Sequence, residues 1–208
     1  MSAVDAIVVG GGVIGSSIAY HLARRGAQVI VAEQSQPATE PSASWASAGG
    51  VRQQGRDARE WPLTMEAARR WPNLEAELGQ ATRFVQGGHL HIVERAEDLP
   101  ALQARVAREQ AAGMDIRMVD RAELRSLAPA LTETALAGAY TPADGQANPP
   151  ATTRAFAAAA ARAGAEYRNA QRANRLISHG SVVQGVELAG ARRYAESGGD
   201  VSEAVRSG

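Results

Sequence analysis

The run Gly10-Gly11-Gly12-Val13-Ile14-Gly15 sets three glycines at G-x-G-x-x-G spacing. The spacing alone decides little; its setting is what constrains the chain. Before it, Ala6-Ile7-Val8-Val9 is a continuous run rich in β-branched residues. Such runs suit strands buried on both faces of a parallel sheet. After it, Val13 to Arg25 reads as a helix, with Ile14, Ile18 and Leu22 at four-residue spacing on one face. Arg24 and Arg25 fall in its last turn and Gly26 ends it. Gln28 to Ala32 is a second buried strand, closing at Glu33. Strand, glycine turn, helix and strand follow in the order of a βαβ unit.

Each glycine then has a mechanical task. Gly10 permits a tight turn, Gly12 lets the backbone approach a pyrophosphate, and Gly15 lets helix and strand pack closely. The first N–H groups of the helix have no intrahelical partners and can bind phosphate oxygens. The helix dipole adds about 0.3–2 kcal/mol to that attraction. Glu33 stands at the spacing of an acid that accepts hydrogen bonds from ribose hydroxyls. A carboxylate there repels a 2′-phosphate, which disfavours NADP. These residues leave NAD and FAD both open.

Beyond the βαβ unit, Gln34 to Gly50 is a loop rich in Ser, Ala, Pro and Gly. A helix is expected over Ala58 to Leu78, with Leu63, Ala67, Trp71, Leu74 and Leu78 on one stripe and Pro72 as a kink or break. His89 to Val93 reads as a strand and Asp98 to Ala112 as a helix with Leu99, Leu102 and Val106 inward. Met114 to Val119 reads as a strand. Asp120 followed by Glu123 marks a helix start, and that helix stops near Pro129. Ala135 to Thr141 is a further strand, and Asp144-Gly145 a turn. Pro149-Pro150 opens an alanine-rich helix closed by Gly164. Strands are expected around Glu166 to Ala173 and at Val182 to Leu188. Ala189 to Gly208 has few large apolar residues and no clear strand, and is expected to be a disordered or non-native tail.

Composition narrows the function classes. Acids and bases number 22 each, so net charge gives no reason to expect nucleic acid or an anionic membrane as partner. The absence of cysteine excludes disulfides, thiolate metal sites and a cysteine-linked cofactor. No transmembrane segment or secretory signal is read, and a soluble, cytoplasmic protein is expected. His89 and His91 share one strand face but lack a third ligand at useful spacing, so no metal is expected.

Three blocks carry a resemblance: Val8 to Gly15, Ala19 to Gly26, and Val29 to Glu33. They resemble the D-amino-acid oxidase superfamily of FAD-dependent oxidoreductases, and within it the sarcosine and glycine oxidase and D-amino-acid dehydrogenase group. Ser42 to Gly50 is similar to that family's second flavin-contacting loop, Gly87-Gly88-His89-Leu90 to the start of its substrate-domain sheet, and Asp144 to Pro149 to the turn leading back.

The resemblance implies an α/β fold: a Rossmann-like FAD-binding domain with a parallel sheet, plus part of an inserted α+β substrate domain. It implies FAD-binding segments at 1–82 and 149–188, a partial substrate domain at 83–148, and the tail at 189–208. It also implies that the C-terminal portion of the family pattern is missing, so that this polypeptide alone binds FAD poorly. Gly10, Gly12, Val13, Ile14 and Gly15 would wrap the pyrophosphate. Glu33 and Gln34 would meet the adenosine ribose, and Ser44, Ser47, Ala48 and Gly49 would line the stretch toward the flavin ring. Ala173 falls at a backbone contact to the adenine. Arg52 would lie near the flavin or the substrate carboxylate, with Gln53 and Gln54 as further polar pocket residues, and Trp45 close to FAD. The implied chemistry is oxidation of the C–N bond of a small amine or amino acid, with hydride passing to flavin. A non-catalytic dinucleotide-binding subunit completed by a partner chain is the alternative, and an NAD-dependent dehydrogenase a third.

Overall fold

The computed structural model describes residues 4–189 and, as backbone only, 192–195. The chain divides into two compact units: residues 1–48, 76–82 and 148–208 form the first, and residues 49–75 and 83–147 the second. Residues 49–75, read from sequence with the first domain, therefore belong with the second unit.

In the first unit, β1 (Ala6–Val9) leads through the glycine turn into α1 (Val13–Ala23) and back into β2 (Val29–Ala32). β1 and β2 pair in parallel, and β2 pairs in parallel with β8 (Glu166–Arg168), giving the order β1-β2-β8. All four residues of β2 are buried, as its apolar run requires. α2 (Ala43–Ala46) is a single turn in the long loop after β2. α6 (Pro149–Arg162) starts at Asn148, whose side chain caps the Ala151 amide at 2.8 Å. β9 (Ala173–His179), β10 (Val182–Leu188) and β11 (Arg192–Ala195) form an antiparallel sheet in the order β11-β10-β9. Ala32, Val186 and Leu188 form a buried cluster with Ile7 and Ala173 against it.

Two expectations change here. The face of α1 that packs is not the Ile14–Ile18–Leu22 stripe: Ile14 is 75% exposed and Ile18 46%. The buried residues of α1 are Ser16, Ala19, Tyr20 and Ala23. They face α6, itself lined by Thr152, Ala155, Phe156 and Ala159, and the Tyr20 ring meets Phe156 edge-on at 6.0 Å. Small side chains let the two helices approach closely, so the packing face is marked by alanine rather than by isoleucine. The stretch expected as one strand near Glu166–Ala173 is two elements, β8 and the start of β9, divided at Ala170, whose φ is +55°. The expected tail contains the backbone strand β11, paired antiparallel with β10; the rest of that expectation falls outside the described residues.

In the second unit, β4 (His89–Val93), β6 (Ala137–Thr141) and β5 (Arg117–Asp120) make an antiparallel sheet in the order β4-β6-β5. α4 (Leu99–Ala111) covers one face, with Leu102 and Val106 buried against Val93, Met114, Ile116 and Ala139, and Leu99 packed beside them. α5 (Arg121–Leu127) covers the other through Leu124. Its start is capped as read: Asp120 Oδ1 accepts from the Glu123 amide at 2.9 Å. Strand β5 begins at Arg117, three residues after the expected Met114. A two-strand ribbon joins β3 (Gly50–Val51) to β7 (Gly145–Gln146). The pair Asp144-Gly145, read as a turn, thus enters a strand, and the turn lies at Pro142–Ala143.

Helix α3 (Trp61–Leu78) runs through Pro72 without dividing, and Pro72 is exposed. Its stripe holds at Leu74 and Leu78 and departs from the expected one earlier in the helix, where Ala68 is buried in place of Ala67. Ala68, Leu74 and Leu78 are buried, while Leu63 is 76% exposed.

Candidate functional site

The glycine turn has the form its spacing calls for. Gly10 sits at φ +99°, a region that only glycine enters without strain. Its amide donates to the Ala32 carbonyl at 2.8 Å, tying the end of β1 to the end of β2. Gly15 has no room for a side chain. A Cβ there would overlap the Gly10 carbonyl oxygen and lie 3.1 Å from Gly10 C and 3.2 Å from Val8 Cγ1. The third glycine is therefore required by the closeness of helix to strand. Gly12 is the N-cap of α1 and offers no side-chain cap.

Two side chains reach the turn. Glu33 Oε2 accepts from the Gly11 amide at 2.7 Å, and Oε1 from the Ser35 amide at 2.8 Å. Ser44 Oγ, delivered by α2, accepts from the Val13 amide at 3.0 Å. A hydroxyl that accepts keeps its own hydrogen to donate outward. A carboxylate has about four lone-pair sites, so Glu33 retains acceptor capacity beyond its two bonds. Ser16, buried in the first turn of α1, returns its hydroxyl to the Gly11 carbonyl at 3.0 Å.

Of the sequence candidates, Gly10, Gly12, Val13, Ile14, Gly15, Glu33 and Ser44 are thus gathered at one turn. Gln34 follows Glu33 and is exposed. The Gln171 amide donates to the Glu33 carbonyl at 2.9 Å, which brings Ala173 near the tip of β2. Ser47 is the C-cap of α2, and Ala48 and Gly49 follow it. Ala48 closes a segment of the first unit, whereas Gly49 and Arg52 belong to the second and are described there. Sequence reading missed Gly11 and Ser35, whose amides hold Glu33. A residue used through its backbone leaves no side-chain signal.

The second unit contains a buried polar network around the segment after β3. The Arg52 guanidinium reaches the Gln54 carbonyl at 3.5 Å. Gln53 and Gln54 are buried. Asp144 Oδ1 accepts from the Gln53 amide at 2.9 Å and from Gln53 Nε2 at 3.0 Å. Gln54 Nε2 donates to the His89 carbonyl at 2.7 Å. Glu109, on α4, accepts from the Gly55 amide at 2.9 Å. Two carboxylates distant in sequence thus hold the Arg52–Gly55 segment from two sides. Burial pushes the His89 pKa down against the opposing charge of Asp144, with smaller lowering by Arg52 and Arg105, and burial lowers His91 likewise, helped by Arg105. Among the described residues no group of His, Asp and Glu could hold a metal ion.

Burial raises the Asp144 pKa, against the lowering effect of hydrogen bonds from Gln53 and Gln54. The folded chain therefore holds this proton more tightly than the unfolded chain. The stability tied to it is complete at low pH and is lost as pH rises through the carboxylate range. Asp144→Asn keeps an Oδ1 acceptor for Gln53 and removes the ionisation. In urea melts, D144N is expected to gain on the wild type as pH rises from about 4 to 7. A stability difference that stays constant over that window contradicts the assignment.

Cavities lie elsewhere in each unit. One, of about 490 Å³, is lined by residues of β4 and α4, including His91, Leu102 and Arg105. Another, of about 400 Å³, lies at the opposite end of β2 from Glu33, near Gln28 and Glu166. Neither is lined by the glycine turn. At the turn the Gly10, Gly11 and Val13 amides donate to the Ala32 carbonyl, Glu33 and Ser44.

A family profile described as FAD-dependent oxidoreductase matches residues 5–204. Glycine oxidase of Geobacillus kaustophilus (strain HTA426) is 30% identical over 167 residues, covering 77% of this chain and 44% of that protein. Human mitochondrial sarcosine dehydrogenase is 29% identical over 167 residues, covering 79% of this chain and 18% of that protein. The solved structure of the Geobacillus kaustophilus glycine oxidase superposes with a TM-score of 0.83 at 27% identity, over 94% of this chain and 54% of the other. The chain spans about half the length of these glycine oxidases. No helix among the described residues is long and apolar enough to cross a membrane.

Proposed function

The chain belongs to the FAD-dependent oxidoreductase family, and from that membership we propose that it holds the ADP half of FAD in an enzyme oxidising the C–N bond of a small amine or amino acid. The observation carrying this is the Gly15 contact: helix and strand are so close that the turn presents bare backbone to a diphosphate.

The residues fit the group. The amides at the start of α1 and the Ser44 hydroxyl would donate to phosphate oxygens. Glu33, held by Gly11 and Ser35, would accept from the ribose hydroxyls, with Gln34 and Ala173 flanking the adenosine. Ser47, Ala48 and Gly49 would continue the contacts along the cofactor, and Arg52 would offer its guanidinium to a substrate carboxylate. When bound, FAD would supply the two-electron acceptor for the substrate's α-carbon hydride. The identity of the relatives as glycine oxidase and sarcosine dehydrogenase supports an amino-acid-like substrate.

A second reading, a dinucleotide-binding chain completed by another polypeptide, is favoured by the sheet order. Among the described strands β1 pairs only with β2, and Val9 at its end is 57% exposed. Equilibrium dialysis against FAD, followed by anaerobic addition of glycine or sarcosine, separates the readings. Bound flavin that bleaches supports the enzyme. Bound flavin that stays yellow supports the completed-chain reading. No bound flavin overturns the enzyme reading of this chain alone.

A further inference from the structure

Ser16 is the first residue on the buried side of α1 and is fully enclosed. Its hydroxyl donates to the Gly11 carbonyl at 3.0 Å, and its amide to the Gly12 carbonyl at 2.9 Å. A serine inside a helix usually returns its hydroxyl three or four residues back, to a carbonyl of its own helix. Here the hydroxyl reaches past the N-cap Gly12 and into the glycine turn. One residue therefore holds two consecutive carbonyls of that turn from below.

The consequence falls on the other side of the chain. A trans peptide sets its C=O and its N–H in opposite directions, and the Gly11–Gly12 peptide is trans. With the Gly11 carbonyl drawn inward to a buried hydroxyl, the Gly12 N–H is aimed outward. The neighbouring amides are already committed. Gly10 donates to the Ala32 carbonyl at 2.8 Å, Gly11 to Glu33 Oε2 at 2.7 Å and Val13 to Ser44 Oγ at 3.0 Å. From Gly10 to Val13, Gly12 is the position whose amide meets no acceptor among the described residues. Gly11 is buried and Gly12 only half-buried, so the uncommitted N–H is also one that a ligand can reach.

We infer that Ser16 is a positioning residue for the diphosphate: by holding the Gly11 carbonyl it points the Gly12 N–H at a phosphate oxygen of the bound nucleotide. The inference rests on the proposed function for its ligand and adds the residue that aims the contact. Ser16 lies beneath the turn and acts through the backbone. Alanine in its place leaves the buried Gly11 carbonyl without its donor. Glycine on both sides offers little resistance to rotation of that peptide plane. The Gly12 N–H then turns away from the phosphate.

The test titrates the flavin-free chain with ADP and with adenosine, which lacks the diphosphate, and follows amide shifts by NMR. In the wild type ADP is expected to shift the Gly12 amide saturably, and adenosine to shift it far less. Ser16→Ala is expected to weaken ADP on the order of fivefold or more and adenosine less than about twofold, as befits a misaimed charge-assisted bond. A merely looser fold would weaken both alike. Ser16→Cys, which keeps the volume and offers only a weak S–H donor, is expected to weaken ADP about threefold, and it decides the matter if the Ala variant does not fold. Thr153, on α6 in the same unit, is equally buried and donates its hydroxyl to the Pro149 carbonyl at 2.8 Å. Thr153→Val is expected to change ADP affinity less than about twofold, since that bond does not touch the turn. Wild-type ADP affinity in both Ser16 variants, an equal loss for adenosine, a Gly12 amide that stays still while ADP binds, or a Thr153 variant as weak as Ser16→Ala overturns the inference. So does a wild type that takes neither ADP nor FAD. A wild type that binds ADP but not FAD, with the expected loss in Ser16→Ala, counts against the proposed function and leaves the role of Ser16 standing.

Discussion

Gly15→Ala is expected to damage both the fold and the cofactor site, more than any other single methyl in the first unit. The added Cβ would overlap the Gly10 carbonyl oxygen, with Gly10 C at 3.1 Å and Val8 Cγ1 at 3.2 Å. None of these can retreat easily. Gly10 is fixed at φ +99° and tied to Ala32 by its amide. On the other side, α1 is held against α6 by Tyr20 and Phe156. Overpacking of this kind costs about 1–3 kcal/mol. Moving α1 outward also turns its first amides away from a diphosphate, and each charge-assisted bond lost is worth about 1.5–3 kcal/mol. FAD affinity is therefore expected to fall on the order of a hundredfold, with a lower urea midpoint at unchanged slope. Wild-type affinity and midpoint in the variant would show that the helix does not need its closeness to β1.

Glu33→Ala is the second large effect expected. The buried Gly11 amide loses its acceptor, and the Ser35 amide loses its own. An unsatisfied buried N–H costs about 1–3 kcal/mol. The ribose hydroxyls would lose their acceptor as well, so FAD affinity is expected to drop tenfold or more by this reasoning. Glu33→Gln is expected to fare nearly as badly. Its amide nitrogen must face either Gly11 or Ser35, setting donor against donor. Removing the negative charge also lifts repulsion toward a 2′-phosphate. The preference for ADP over 2′-phospho-ADP should therefore narrow in both variants, as read by competition against FAD. An unchanged preference would place the acid away from the ribose.

The first βαβ unit was legible because its signals are local. A four-residue apolar run, three glycines and an acid at the next strand's end lie within residues 6–33. The packing face of α1 was not legible in the same way. Large apolar residues mark a buried face only where the partner leaves room, and α6 presents alanines and threonines that admit Ala19 and Ala23. Ile14 and Ile18 consequently point outward. The second unit shows the same limit at its polar centre. Asp144 reads as a turn residue, and Glu109 as one more charge on a helix. Their roles depend on Gln53, 91 residues before Asp144, and on Gly55, 54 residues before Glu109. No spacing rule reaches across such distances. Ser44 was reached through family resemblance, and its bond to the Val13 amide crosses 31 residues. Residues that act through backbone amides, Gly11 and Ser35 among them, leave no mark in a sequence.

The most direct measurement is an amide chemical-shift titration of the wild-type chain with ADP. The largest changes are expected at Gly10 to Gly15 and at Glu33 to Ser35, saturating together with one dissociation constant. If ADP binds while those amides stay still, the grip on the nucleotide lies elsewhere and the account of this turn is wrong.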